Sequence, residues 1–128
     1  MPGAYHLPVL VHEVCAALLP PLRAASSAGA TSTTAVFVDC TCGGAGHSEA
    51  LLRAASEFPA RPRFLALDRD PDALAHARDR LGATLELHHR PFSQLAAVLA
   101  EAKIPAVTAI LADLGVSSHQ LDTGARGF

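Results

Sequence analysis

The 128 residues are half hydrophobic and only 17% charged, a globular composition that excludes a disordered chain and amounts to a single domain's worth of core. A formal charge of −2 leaves no basic tail to hold nucleic acid, although net charge does not speak to local patches. Three cysteines are too few, and odd in number, for a disulfide framework. With no apolar run of membrane-span length and no signal-peptide pattern, the chain reads as cytoplasmic.

The chain opens with HLPVLVHEVCAALLPPL, where Val11, Val14, Cys15, Leu18 and Leu19 recur at helical spacing and Pro20 and Pro21 are expected to end the helix. RAASSAGATSTT is small and polar and reads as a flexible connector. The division is therefore residues 1–34, helix plus connector, and residues 35–128, the main domain. AVFVD suits a buried strand ending in an acid, and a glycine turn then leads to a helix from about His47 to Ala55. RFLALD (63–68) is a second strand; Asp70 caps the next helix with Pro71 in its first position, and that helix ends near Gly82. TLELHH (84–89) alternates as a third strand, Ser93 caps SQLAAVLAEA, and VTAILAD (107–113) is a fourth strand. Strands alternating with helices predict an α/β doubly wound parallel sheet.

In such a sheet ligands bind beyond the carboxyl ends of the strands, where strand order reverses. After the first strand comes Asp39, then Cys40-Thr41-Cys42-Gly43-Gly44-Ala45-Gly46-His47. Glycines let a ligand approach the backbone, and a helix start offers N–H groups. After the second strand stands Asp68, where an acid accepts hydrogen bonds from the ribose of an adenosine-type cofactor. Phe92 follows the third strand, either against an adenine ring or as a hydrophobic staple on Ala97. Asp113 follows the fourth. Each alone has a structural explanation; four on consecutive strand ends point to an adenosine cofactor.

Two rival readings are weaker. Cys40, Cys42 and His47 offer three metal ligands, but zinc sites usually show paired spacings that are absent here, so no metal is expected. A dinucleotide needs G-x-G-x-x-G to seat its pyrophosphate, whereas the glycines here are Gly43, Gly44 and Gly46. S-adenosylmethionine (SAM) has no phosphate and still needs a tight, open turn and a ribose-binding acid. Asp39 at the end of the first strand also suits a methyltransferase better than a dehydrogenase. The chemistry favours SAM over a nicotinamide cofactor.

HLPVLVHEV, DCTCGGAGHSEALL, ALDRDPDAL, PFSQL and above all DLGVSSHQLDTGARGF resemble the RsmH (MraW) family across nearly the whole chain, the connector at 24–34 excepted. That resemblance implies a Rossmann-like SAM-dependent methyltransferase fold and methylation of the N4 amine of a cytidine in 16S ribosomal RNA of the small subunit. It implies that Ala45, Gly46 and His47 form the cofactor turn, with Asp68 on the ribose and Phe92 beside the adenine. Asp113 and Gln120 would close over the cofactor, and Asp113 would also orient the attacking amine. Ala45 replaces a frequent glycine. His119 replaces a common proline, which loosens the turn that carries Gln120.

Only the first four strands of such a sheet are present, and the family's inserted helical domain and later strands are not. The expectation is therefore a fragment whose fourth strand lies at an open, aggregation-prone edge. An inactive SAM-binding fragment or interaction module is the alternative, and a nicotinamide oxidoreductase domain the less favoured one. Oligomeric state is not legible.

Overall fold

Long apolar runs without strict alternation, such as AVFV and FLAL, call for strands covered on both faces, and the computed structural model of the chain places them so. It describes residues 9–27, 34–115 and Gly124. The elements are α1 (Val11–Ser27), β1 (Val36–Asp39), α2 (Gly46–Ala55), β2 (Arg63–Asp68), α3 (Pro71–Leu81), β3 (Glu86–His89), α4 (Leu95–Glu101) and β4 (Ala109–Leu111). Short 3-10 turns cover Gly82–Thr84 and Phe92–Gln94. The four strands pair in parallel in the order β3-β2-β1-β4. This is the α/β parallel sheet expected from the alternation of elements, in the Rossmann-like arrangement that the resemblance implies.

Alternate residues of the strands feed two cores. Phe37, Phe64 and Ala66 face one side, where they pack with Leu22 of α1, Leu51 of α2 and Ala77 of α3. Phe37 and Phe64, paired in register on adjacent strands, bring their ring centroids to 5.2 Å, within the range where aromatic pairs add to simple burial. Val36, Val38, Leu65 and Leu67 face the other side, under Val98 of α4 and Ile104. The crossover from β3 back past β1 to β4 is what carries α4 to that second face.

Three expectations about local structure are corrected. Pro20 and Pro21 do not end α1, which runs on to Ser27 with both prolines inside. Each removes one intrahelical donor, leaving the carbonyls of Ala16 and Ala17 without it, but both of those residues are exposed and water can reach them. The helix persists because its apolar stripe is anchored on both sides of the prolines: Leu22 beyond them is fully buried with Ala25 beside it, and Val14 and Leu18 before them pack against the same core. Ser93 caps no helix. It lies in a 3-10 turn, and α4 begins at Leu95 behind Gln94, which makes no side-chain cap bond. The third and fourth strands are shorter than their sequence runs. Gly82, with φ 57°, terminates α3, and the Thr84 hydroxyl then donates to the Leu81 carbonyl at 2.6 Å, winding that segment into a turn.

The cap of α3 is as expected. Asp70 is buried, Pro71 follows it, and its carboxylate accepts from the Asp72 amide at 2.9 Å. β4 lies at one edge of the sheet, three residues long and bonded only to β1 among the described residues. Ile110 and Leu114 are exposed there.

Candidate functional site

The strand order places the reversal between β1 and β4: β1, β2 and β3 step one way, and β4 returns to the other side of β1. That position is where parallel α/β sheets open a crevice at their carboxyl ends. The segment leaving β1 enters it already bonded to both neighbours. The Cys40 amide donates to the Leu111 carbonyl at 2.8 Å and the Cys42 amide to the Leu67 carbonyl at 3.0 Å.

A tight turn follows, closed by the Ala45 amide on the Cys42 carbonyl at 2.8 Å. Gly43 has φ +51°, a conformation that costs a side-chain-bearing residue but not glycine. Ala45 occupies the left-handed region at φ 63° and directly precedes α2. A β-carbon there costs roughly 1–2 kcal/mol, offset by full burial of its methyl group in the core. The frequent family glycine implied for this position has a physical reason, and the alanine here stands against it.

Asp68, at the end of β2, is bonded to that turn. One carboxylate oxygen accepts from the Gly43 amide at 2.9 Å, and the other accepts from the Asp70 amide at 2.9 Å. A carboxylate has about four lone-pair sites, so two backbone bonds leave capacity for hydroxyl donors.

Asp39 takes an interior part that sequence reasoning did not assign to it. It is 1% exposed, accepts from the Ser48 hydroxyl at 2.8 Å and from the Thr41 amide at 3.1 Å. Burial pushes its carboxyl up to about 6, against the lowering effect of those two bonds and of nearby His47. Asp39 therefore braces the turn from inside.

The remaining expected residues divide. His47 is buried, and its Nε2 lies 2.6 Å from the Val9 carbonyl. Because a carbonyl only accepts, Nε2 donates. The ring thus ties the segment before α1 to the start of α2. Phe92 is 53% exposed, and the later start of α4 removes the register that a staple on Ala97 requires, which leaves the ring available at the end of β3. Gly46 opens α2. Asp113 is exposed two residues beyond β4, and its amide donates to the Thr41 hydroxyl at 2.6 Å. Gln120 and His119 lie outside the described residues. Five of the expected positions (Ala45, Gly46, Asp68, Phe92 and Asp113) are thus distributed on the carboxyl-end side of four neighbouring strands.

The cysteines make a poor nucleophile or metal set. Burial raises the thiol pKa of Cys42, and burial with the Asp39 charge raises that of Cys40, so both resist the thiolate form. Among the described residues no three His, Cys, Asp or Glu side chains stand together as metal ligands. A separate open cavity of about 520 Å³, lined by Glu49, Arg53, Arg61 and Arg80 among others, lies by the amino-terminal ends of β2 and β3. It includes none of the expected site residues.

Comparison with known proteins decides the family. The model of the MraW methylase family matches residues 3–128. The chain belongs to the MraW methylase family. Curated proteins similar to this MraW-family chain carry the name ribosomal RNA small subunit methyltransferase H. One from Acidithiobacillus ferrooxidans is 46% identical over 99% of the chain and 37% of its own length. One from Parafrankia sp. is 45% identical over 96% and 35%, and one from Mycolicibacterium smegmatis 44% identical over 99% and 33%. The MraW-family chain therefore spans little more than a third of the length of these relatives.

Two MraW-chain residues that shape the turn, Thr41 and Ser48, carry no signal as site residues in the sequence. Each is a small polar residue in a segment full of them. Asp39 does carry one, as an acid closing a strand, and the structure buries it against Thr41 and Ser48.

Proposed function

We propose that this chain is the SAM-binding part of an enzyme that methylates the N4 amine of a cytidine in 16S ribosomal RNA of the small subunit. The observation that carries this reading is the bond from the Gly43 amide to Asp68. It couples the ribose-binding acid to the glycine turn at the point where strand order reverses. The relatives' name, ribosomal RNA small subunit methyltransferase H, supports the coarser part of that reading, methylation of small-subunit ribosomal RNA. No helix among the described residues is long and apolar enough to cross a membrane.

The residues fit SAM better than a dinucleotide. The turn has the wrong glycine spacing for a pyrophosphate. Asp68 keeps lone pairs for the ribose hydroxyls, Phe92 offers a ring face for the adenine, and Gly43 to Gly46 give close backbone approach for the methionine part. Gln120 and Asp113 would close over it. Bound there, SAM supplies an electrophilic methyl group on its sulfonium.

The chain's part in the chemistry is positional. Asp113 accepts a hydrogen bond from the cytosine amine and turns its lone pair toward the cleft. Asp68 and the glycine turn fix the cofactor's ribose and methionine ends relative to it. Asp68→Ala and Asp68→Asn are each expected to weaken SAM binding by about 10- to 100-fold, the range set by losing charge-assisted hydrogen bonds. Calorimetric titration with SAM, alongside circular dichroism to confirm folding, checks it. Unchanged affinity in folded Asp68→Asn would remove Asp68 from the cofactor site.

A further inference from the structure

We propose that Thr41 is the positioning residue that sets where Asp113 stands relative to the glycine turn. The backbone ladder between β1 and β4 reaches its last bond at the Cys40 amide and the Leu111 carbonyl. One step further on, the link is made by a side chain: the Thr41 hydroxyl accepts the Asp113 amide at 2.6 Å. Thr41 is held for this task from the other side, since its own amide donates to Asp39, which the Ser48 hydroxyl also holds. The chain of bonds runs from the start of α2, through buried Asp39, to Thr41, and across the reversal point to Asp113.

The far end of this link lies beyond the last backbone rung between β1 and β4. β4 is three residues long and bonded only to β1 among the described residues, and Leu114 just beyond it is 67% exposed. A three-residue strand held by few backbone bonds is the kind of segment that opens locally. The side-chain rung at Thr41 thus continues the pairing of β1 with β4 one step past the last backbone bond and fixes the Asp113 amide. Valine has the same branched shape as threonine but no acceptor, and serine keeps the acceptor, so the two substitutions separate shape from hydrogen bonding.

The test uses the 128-residue chain as wild type, Thr41→Val and Thr41→Ser. Its first arm needs no ligand: native-state amide exchange at Asp113, with the core amides of Phe37 and Val38 as internal reference. Thr41→Val is expected to exchange about tenfold faster at Asp113, as for one lost hydrogen bond. Thr41→Ser should stay within about threefold of wild type on the same scale, and the core amides should not change. Equal Asp113 exchange in all three chains, or Thr41→Ser as fast as Thr41→Val, overturns the proposal.

The second arm rests on the SAM reading of the cleft. SAM affinity should fall about tenfold in Thr41→Val and recover in Thr41→Ser. Faster Asp113 exchange with unchanged SAM affinity overturns the link between this rung and the cofactor. If the wild-type chain binds no SAM, the functional reading fails, while the exchange arm still decides whether Thr41 holds Asp113.

Discussion

Replacing Phe37 with alanine is expected to cost about 3–5 kcal/mol of folding stability, the range for deleting a fully buried aromatic ring. Phe37 is 0% exposed, pairs with Phe64 in register, and stands in the core that joins α1, α2 and α3 to the sheet. No neighbour can collapse into the space cheaply, because Leu22 and Leu51 are themselves fully buried and held by their helices. Domains have about 5–15 kcal/mol in total, so the loss is a large fraction of the whole. Urea unfolding followed by circular dichroism measures it, with Ile110→Ala, at a half-exposed edge position, as the mild control. A loss at Phe37 no larger than at Ile110 would contradict the placement of this core.

Asp39 gives a second large effect, and its sign depends on pH. Its carboxyl rises from 3.8 to about 6 in the folded chain, chiefly because burial disfavours the charge. The folded state thus holds the proton more tightly than the unfolded state. The stability this contributes is fully present below the unfolded value and is lost as pH rises through the folded value. Above the folded value the buried charge costs on the order of 3 kcal/mol, because each tenfold change in proton affinity is worth about 1.4 kcal/mol.

The asparagine in Asp39→Asn carries no such charge and keeps an oxygen for the Thr41 amide. Between about pH 4 and pH 7, the stability difference between Asp39→Asn and wild type should therefore move in the variant's favour by about 1–3 kcal/mol. Urea midpoints at the two pH values check this. Glu86, whose carboxyl is lowered by its bond with Arg63, is common to both chains and cancels in the difference. A difference that stays constant with pH would contradict a buried, ionising Asp39.

The order of elements is legible because the periodicity changes cleanly: RFLALD has the length and apolar, aromatic character of a buried strand, and DALAHARDRL follows a proline behind a capping acid. The topology follows from alternation. What fails is local. Two adjacent prolines signal a helix end, but the signal is outweighed when Leu22, beyond them, finds a fully buried place in the core. Ser93 is a good capping residue by type, yet the segment after β3 first makes a 3-10 turn that moves the start of α4 past it.

The site shows the same division. Residues at strand ends stand out because parallel topology dictates where ligands lie, independent of side-chain packing. Thr41 does not, because its significance comes from β4 lying beside β1, a long-range fact that no local pattern encodes. By sequence His47 is a residue of the cofactor turn or one of three possible metal ligands; its bond to the Val9 carbonyl adds a structural role, holding the segment that precedes α1.

Whether the turn after β1 and the acid after β2 together hold SAM is tested most directly by titrating the isotope-labelled 128-residue chain with SAM, and separately with NAD, while following backbone amides. Saturable SAM binding is expected, with the largest shifts at Gly43, Gly44, Gly46, Asp68 and Asp113, and none of comparable size with NAD. No SAM binding, or shifts centred on Arg53, Arg61 and Arg80 at the opposite end of the sheet, would contradict it.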